Sequence, residues 1–132
     1  MSKRLSDRER LLRSISEAAW QRTVIECAQA HGWKVNATRQ SGKTLENGKR
    51  VTIIEADGKG YSDLTCVHPV WHRLVWIENK TQVGRVTPEQ HAWLDWLTGV
   101  PGVEGYVLRP GNADALLTIF GPRTPVERDR SR

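Results

Sequence analysis

Residues 62–67 and 73–80 form two short apolar segments, separated by a loop that contains Pro69. Side chains along a strand alternate between its two faces. One face carries Leu64, Cys66, Val75 and Ile77, and the other carries Thr65, Val67, Leu74 and Trp76. A sheet that is apolar on both faces must be covered on both faces. The two segments therefore predict the centre of a β-sheet that lies between helices.

Two clear helices are predicted before and after these strands. The first covers residues 14–31, where Ser14 and Glu17 have the spacing of a capping box. The second begins after Thr87, a suitable N-cap followed by proline, and ends before Gly99. The shorter elements are strands at 33–39, 50–55 and 104–109 and a last helix that Asn112 caps and that ends near residue 120. We summarise the order as α-β-β-β-α-β-α, which predicts one α/β domain with a mixed β-sheet flanked by helices.

Basic residues are concentrated at both ends of the chain. The 132 residues include 20 Lys and Arg and 15 Asp and Glu, for a net charge of +5. Residues 1–13 contain five bases and two acids, and residues 121–132 contain four bases and two acids. We therefore predict a basic N-terminal extension over 1–13, a domain over 14–120 and a disordered basic tail over 121–132. Basic ends suit a polyanion such as nucleic acid, and solubility alone explains them equally well.

A second group of bases lies inside the predicted domain. Residues 34–50 include only one acid, Glu46, among several lysines and arginines. Such a local excess favours contacts with phosphate groups. The candidate nucleic-acid-binding residues of this patch are Arg39, Lys43, Lys49 and Arg50.

Several classes of protein are excluded by simple patterns. The sequence has no run of eighteen apolar residues, so we expect no membrane-spanning helix. The charged first residues lack the apolar core of a secretion signal. Two cysteines, Cys27 and Cys66, are too few for a disulfide framework and belong to no Cys-x-x-Cys pair. We expect a reduced, cytoplasmic protein without structural zinc.

Asp63, Glu78 and Lys80 are the residues that indicate chemistry. If the two central strands pair as a hairpin centred on Val70 and Trp71, the numbers of paired residues sum to 141, and Asp63 lies opposite Glu78. Lys80 shares their face. Two facing carboxylates favour a divalent cation such as Mg²⁺, and a nearby lysine suits the charge that develops on a phosphate during hydrolysis. The simpler alternative is that these groups are solvated ends of strands.

Three motifs resemble a known family. They are Gly60-Tyr61-Ser62-Asp63-Leu64, Trp76-Ile77-Glu78-Asn79-Lys80-Thr81 and the stretch from Gly84 to Leu94. With Glu17 and Gln21 upstream, they look like the stand-alone VRR-NUC domain, a branch of the PD-(D/E)XK nuclease superfamily, over about residues 14–110. The sequence departs from that pattern at Ser62, where proline is usual, and at Asn79, where an apolar residue is commoner.

The resemblance implies a restriction-endonuclease-like fold and an endonuclease that depends on Mg²⁺ or Mn²⁺. Asp63, Glu78 and Glu17 would be metal ligands, and Lys80 and Gln90 would act with the two strand carboxylates in catalysis. Small members resemble Holliday junction resolvases and act as homodimers. We therefore expect a homodimer that cleaves branched DNA such as a four-way junction, in the cytoplasm of the host if the chain is phage-encoded.

Other functions are open at this point. A duplex or nicking endonuclease without junction preference would use the same residues. A DNA-binding protein on an inactive nuclease fold, or an interaction domain that binds no metal, would also fit the composition.

Some individual residues have two readings as well. Glu17 and Gln90 each fit a capping box, which does not prevent a role at a metal site. His68 and His72 lie in a loop and lack further zinc ligands. Trp71, at the tip of the hairpin, suits a dimer interface slightly better than stacking on a DNA base.

Overall fold

The computed structural model describes residues 4–38, 41–53 and 56–123. Its helices are α1 (Asp7–Ser14), α2 (Glu17–Ala30), α3 (Pro88–Thr98) and α4 (Ala115–Phe120), with a short 3-10 helix at Pro110–Asn112. Its strands are β1 (Lys34–Ala37), β2 (Ser41–Thr44), β3 (Arg50–Ile53), β4 (Leu64–His68), β5 (Arg73–Asn79) and β6 (Val103–Leu108).

Four strands form the main sheet, in the order β1-β4-β5-β6, and β2 pairs with β3 as a separate two-stranded ribbon. The three strands β1, β4 and β5 are antiparallel, whereas β6 runs parallel to β5 after the crossover through α3. The predicted α/β class with a mixed sheet is confirmed. The strands of the main sheet follow the predicted order. β3 lies within the predicted strand 50–55, and α1 and β2 are the elements that the prediction lacks.

The central hairpin has the predicted register. Leu64 pairs with Ile77 and His68 pairs with Arg73, so the numbers of paired residues sum to 141. The chain reverses over Pro69 to His72, and His72 adopts a positive φ of 53°. The ring of His68 supports this turn, because its Nδ1 accepts hydrogen bonds from the backbone N–H groups of Val70 and Trp71.

The core lies between one face of the sheet and the helices α2 and α4. The strands contribute Leu64, Cys66, Val75 and Ile77, and the helices contribute Trp20, Val24, Ala28, Leu116, Ile119 and Phe120. Two indole N–H groups also bind distant carbonyl groups. Trp20 Nε1 donates to the carbonyl of Leu108 at 3.0 Å, and Trp33 Nε1 donates to the carbonyl of Phe120 at 2.8 Å. These bonds connect α2 and the start of β1 to the C-terminal part of the domain.

Helix α3 covers part of the opposite face. It packs on β6 at Gly105, where an added Cβ would lie 2.8 Å from Thr98 Cγ2. Trp76 on this face donates from Nε1 to the hydroxyl of Tyr61 at 2.7 Å. Cover is incomplete beyond β5, since Val67 is 42% exposed. The sequence predicts helices on both faces of the sheet. In the structure α2 and α4 cover the core face, and α3 covers only part of the other face.

The N-terminal boundary of the first predicted helix is wrong. Residues 7–14 form their own helix, capped by Ser6, and the chain breaks at Ile15. Ser16, and not Ser14, is the N-cap of α2, since its side chain accepts a hydrogen bond from the backbone N–H of residue 19. Glu17 is therefore the first residue of α2 instead of the third. The predicted basic extension 1–13 thus contains most of a helix.

The last predicted helix and the predicted tail differ in part from the structure. Asn112 does not cap α4: its Oδ1 accepts from the backbone N–H of Arg109 within the 3-10 helix. Helix α4 ends at Phe120, close to the prediction, and residues 124–132 of the predicted tail lie outside the described residues. Among the helices described, none is both long and apolar enough to cross a membrane.

Candidate active site

The two strand carboxylates meet where β4 begins and β5 ends. The hairpin register, extended by one pair, places Asp63 opposite Glu78. A hydrogen bond supports this position, because the backbone N–H of Asn79 donates to Asp63 Oδ2 at 2.8 Å. The pairing of these residues follows from strand alternation and hairpin length alone, which is why the sequence predicts it.

Glu78 is almost completely enclosed, with 1% of its surface exposed. Its Oε1 accepts a hydrogen bond of 2.6 Å from Gln90 Nε2 and lies 3.5 Å from Lys80 Nζ. Its other oxygen, Oε2, is buried and has no hydrogen-bond partner among the described residues. Oε1 of the carboxylate thus has partners among the described side chains, whereas Oε2 is left able to accept a further hydrogen bond or to bind a cation.

The electrostatics of the pair favour an added positive charge. Burial and, to a lesser extent, the neighbouring Asp63 together raise the pKa of Glu78 to about 7, against the opposing effect of Lys80. Burial also raises the pKa of Asp63, although the hydrogen bond from Asn79 works in the other direction. The buried Glu78 and the half-buried Asp63 both have raised pKa values, so one lysine compensates their charges only in part. A bound cation would lower both pKa values.

Gln90 is positioned by the N-terminus of α3. Its backbone N–H donates to Thr87 Oγ1 at 3.2 Å, and its side-chain Oε1 accepts from the backbone N–H of Thr87 at 2.9 Å. The amide nitrogen remains available and donates to Glu78. Capping and a role at the site, which the sequence leaves as alternatives, are therefore compatible in one side chain.

Gly60 allows the preceding loop to approach this end of α3. It has a φ of +83°, and an added Cβ would lie 2.5 Å from the carbonyl carbon of Glu89 and 2.8 Å from the backbone nitrogen of Gln90. No side chain fits between the loop and the helix. The glycine of the first motif is thus required by the position of α3.

Lys80 lies just beyond β5, and backbone contacts fix its position. Its N–H donates to the carbonyl of Leu108 at 3.0 Å, and the same carbonyl accepts from the indole of Trp20. Arg109 then binds the loop that follows, donating from Nη1 to the carbonyls of Thr81 at 2.8 Å and Gly84 at 2.5 Å. The roles of Trp20 and Arg109 in these contacts are not predicted from the sequence. No local signal marks them, since both contacts join distant parts of the chain.

Glu17 is the least supported member of the predicted set. It is exposed at the start of α2, and its charge contributes to the raised pKa values of Asp63 and Glu78. Within residues 4–38, 41–53 and 56–123, however, no three carboxyl, imidazole or thiol groups are close enough together to bind a metal ion. The structure therefore brings together Asp63, Glu78, Lys80 and Gln90 and leaves Glu17 at the periphery.

The basic patch falls largely on the β2–β3 ribbon. Lys43 and Arg50 belong to its two strands, and Lys49 is exposed in the connecting turn. Arg39 lies outside the described residues. Their predicted contact with nucleic acid stays a prediction.

The histidines and Trp71 have structural surroundings. His68 Nε2 faces the carbonyl oxygen of His31 at 2.8 Å, while its Nδ1 accepts from the turn, so both nitrogens are engaged. His72 is exposed. Trp71 stacks on the ring of His68 at 3.8 Å and meets Trp33 edge-on at 6.4 Å. Trp71 thus has aromatic contacts within its own chain, and its predicted role in a dimer interface or on a DNA base stays a prediction.

Comparison of the chain with protein-family models, with curated proteins and with solved structures finds no match. The site must therefore be interpreted from its own geometry and from the motifs in the sequence.

Proposed function

We propose that this protein is a metal-dependent endonuclease that hydrolyses phosphodiester bonds in DNA. The observation that carries the proposal is the buried Oε2 of Glu78, which has no partner among the described residues and lies beside a second carboxylate. Acyl transfer through a covalent intermediate would need a nucleophile beside the carboxylates, whereas Ser62 and Cys66 lie on the opposite face of the strands. The resemblance to the VRR-NUC domain and its restriction-endonuclease-like fold supports the same conclusion.

The donor set suits Mg²⁺ or Mn²⁺, since both prefer oxygen ligands such as the carboxylates of Asp63 and Glu78. When bound, such a metal supplies Lewis-acid activation of water and neutralises negative charge on the phosphate. The ion would also stabilise the ionised forms of both carboxylates, whose pKa values burial raises.

The side chains around the carboxylates have separate tasks in this proposal. Gln90 orients Glu78 by donating to Oε1, which leaves Oε2 to face the metal. Lys80, 13% exposed and charged, would stabilise the negative charge that grows on the phosphate in the transition state. The backbone of Lys80 is held by its bond to Leu108 and its ammonium group lies beside Glu78, so this electrostatic effect requires little reorganisation.

The β2–β3 ribbon and its basic residues would bind the phosphate backbone of DNA. Contacts of this kind recognise the shape of the DNA and not its base sequence. Branched DNA is the first substrate to test, because the resemblance is to junction resolvases. A homodimer would present two such sites to the two strands of a junction.

The test is cleavage of a labelled four-way junction and of a linear duplex with the same arm sequences, in Mg²⁺, in Mn²⁺ and in EDTA. Asp63→Asn is the active-site variant, and Asp95→Asn is the control, since Asp95 is an exposed carboxylate on α3. We expect metal-dependent cleavage that Asp63→Asn abolishes and Asp95→Asn retains. Equal cleavage of both substrates would remove the junction preference. Binding of both DNAs without cleavage in either metal would contradict the proposal and favour a DNA-binding module.

A further inference from the structure

A second polar layer lies behind the two carboxylates, on the opposite face of the same strand ends. Extending the hairpin register by one more pair places Ser62 opposite Asn79. Their side chains alternate with those of Asp63 and Glu78 and face α2. Both residues are completely buried, with 0% of their surface exposed. They occupy the two positions at which the sequence departs from the VRR-NUC pattern.

The hydrogen bonds of this layer are incomplete. Asn79 Nδ2 donates to Gln21 Oε1 on α2 at 3.5 Å. Asn79 Oδ1 and Ser62 Oγ are both buried and lack a hydrogen-bond partner in the part of the chain that is described. One of these atoms is an acceptor and the other belongs to a hydroxyl donor. The register of β4 and β5, which is paired as far as Leu64 and Ile77, brings both side chains to the same face, where a buried water or a small side-chain rotation can connect the two groups.

We propose that Ser62, Asn79 and Gln21 form a positioning cluster, in which the Ser62 hydroxyl donates to the amide oxygen of Asn79 through one buried water or after a small rotation of either side chain. A buried polar group without a partner is costly, whereas a connected network is stable and rigid. The cluster joins β4, β5 and α2 at one point. None of its three members touches the substrate.

The cluster acts on the site through the backbone of Asn79. The N–H of Asn79 donates to Asp63 Oδ2, and its side chain binds Gln21, one helical turn after Glu17. A shift of Asn79 would therefore change the position of the Asp63 carboxylate and of the start of α2. In the proposed nuclease, that shift would weaken metal binding. This part of the inference rests on the proposed function, and the pairing of Ser62 with Asn79 does not.

The pairing is tested by a double-mutant cycle in EDTA, with urea unfolding of Ser62→Ala, Asn79→Leu and the double variant. Each single change leaves one buried polar atom without its partner. We expect it to lower the folding equilibrium constant about ten- to a hundredfold. The double variant removes both groups, so the factor by which its folding equilibrium constant falls should be clearly smaller than the product of the factors for the two single variants. Asn36→Leu, at an exposed strand position, is the matched control for the Asn-to-Leu change. If the free-energy losses of the two single variants simply add up in the double variant, the pairing of Ser62 with Asn79 is overturned.

The positioning role is tested by Mn²⁺ titration calorimetry and by steady-state cleavage of the junction. We expect Asn79→Leu and Gln21→Leu to raise the Kd for Mn²⁺ about tenfold, in the range seen when supporting residues of metal ligands are changed. The KM for DNA should stay constant. Ser62→Thr, which keeps the hydroxyl, should retain the affinity that Ser62→Ala loses.

The outcomes separate the two proposals. If the unchanged protein binds no Mn²⁺, the proposed function fails and the double-mutant cycle still decides the pairing. If Mn²⁺ binds and the single variants bind it equally well, the positioning role is overturned.

Discussion

Glu78→Gln provides the sharpest test of the electrostatics of the site. Burial and the neighbouring Asp63 raise the pKa of Glu78 from 4.5 to about 7 in the folded protein. The metal-free folded state therefore binds a proton more tightly than the unfolded state does. A raised carboxyl pKa contributes stability that is fully present below pH 4.5 and is lost as the pH rises through about 7. Stability of the metal-free protein should thus decrease between pH 5 and pH 8.

The size of this decrease follows from the shift. At 1.36 kcal/mol for each unit of pKa, the shift of Glu78 corresponds to a loss of about 3 kcal/mol in the free energy of unfolding. The raised pKa of Asp63 acts in the same direction. Glutamine at position 78 cannot ionise, and it still accepts the hydrogen bond from Gln90. The stability of Glu78→Gln should therefore lose most of this pH dependence, keep the smaller part that Asp63 contributes, and exceed that of the unchanged protein at pH 8.

The assay is urea unfolding at pH 5, 6, 7 and 8 in EDTA, repeated with saturating Mg²⁺. Asp95→Asn, the exposed control, should follow the curve of the unchanged protein. Mg²⁺ should reduce the dependence on pH, because it compensates the ionised carboxylates. A pH dependence that Glu78→Gln leaves intact would refute the assignment of the raised pKa to Glu78. Stability that increases from pH 5 to pH 8 would refute the sign of the argument.

Three further predictions concern other parts of the molecule. Lys80→Met should lower the rate constant for DNA cleavage about a hundredfold or more while leaving Mn²⁺ affinity within a few fold, as calorimetry and single-turnover kinetics would show. Gly60→Ala should destabilise the fold by more than Gly102→Ala in urea unfolding: both glycines have a positive φ, and only at Gly60 would the new Cβ collide with α3. Arg73→Met should lower the free energy of unfolding by about 3 kcal/mol, because it removes two hydrogen bonds to the half-buried Glu104. Glu104→Gln alone should lower it by less, and equal losses of stability in the two variants would contradict this order.

The sequence predicts the central hairpin and its carboxylates well, because both depend on local rules. Alternation fixes which residues share a face, and the length of the turn fixes the register. Asp63 and Glu78 are therefore paired before any tertiary contact is considered. The N-terminus of α3 is predicted for the same reason, since Thr87 and Gln90 form their capping box within four residues.

The parts that the sequence does not predict depend on distant contacts. Ser14 and Ser16 are both acceptable caps, and the choice between them is made by Ile15, which packs against the core and breaks the helix between them. Trp71 packs on His68 only because the turn brings the two rings together. Arg109 stabilises a loop 25 to 28 residues away, for which the sequence contains no pattern.

The bonds of the two buried indoles have a consequence for the order of folding. Trp20 and Trp33 donate to carbonyls that lie 88 and 87 residues later in the chain. Contacts of such long sequence separation form slowly, since a large loop must close before they contribute. Helix α2 therefore completes its docking only after β6 and α4 have been formed. During synthesis, Lys80 would gain its final position close to the end of translation of the domain, because a nascent chain that stops before Leu108 lacks the carbonyl to which the Lys80 N–H donates.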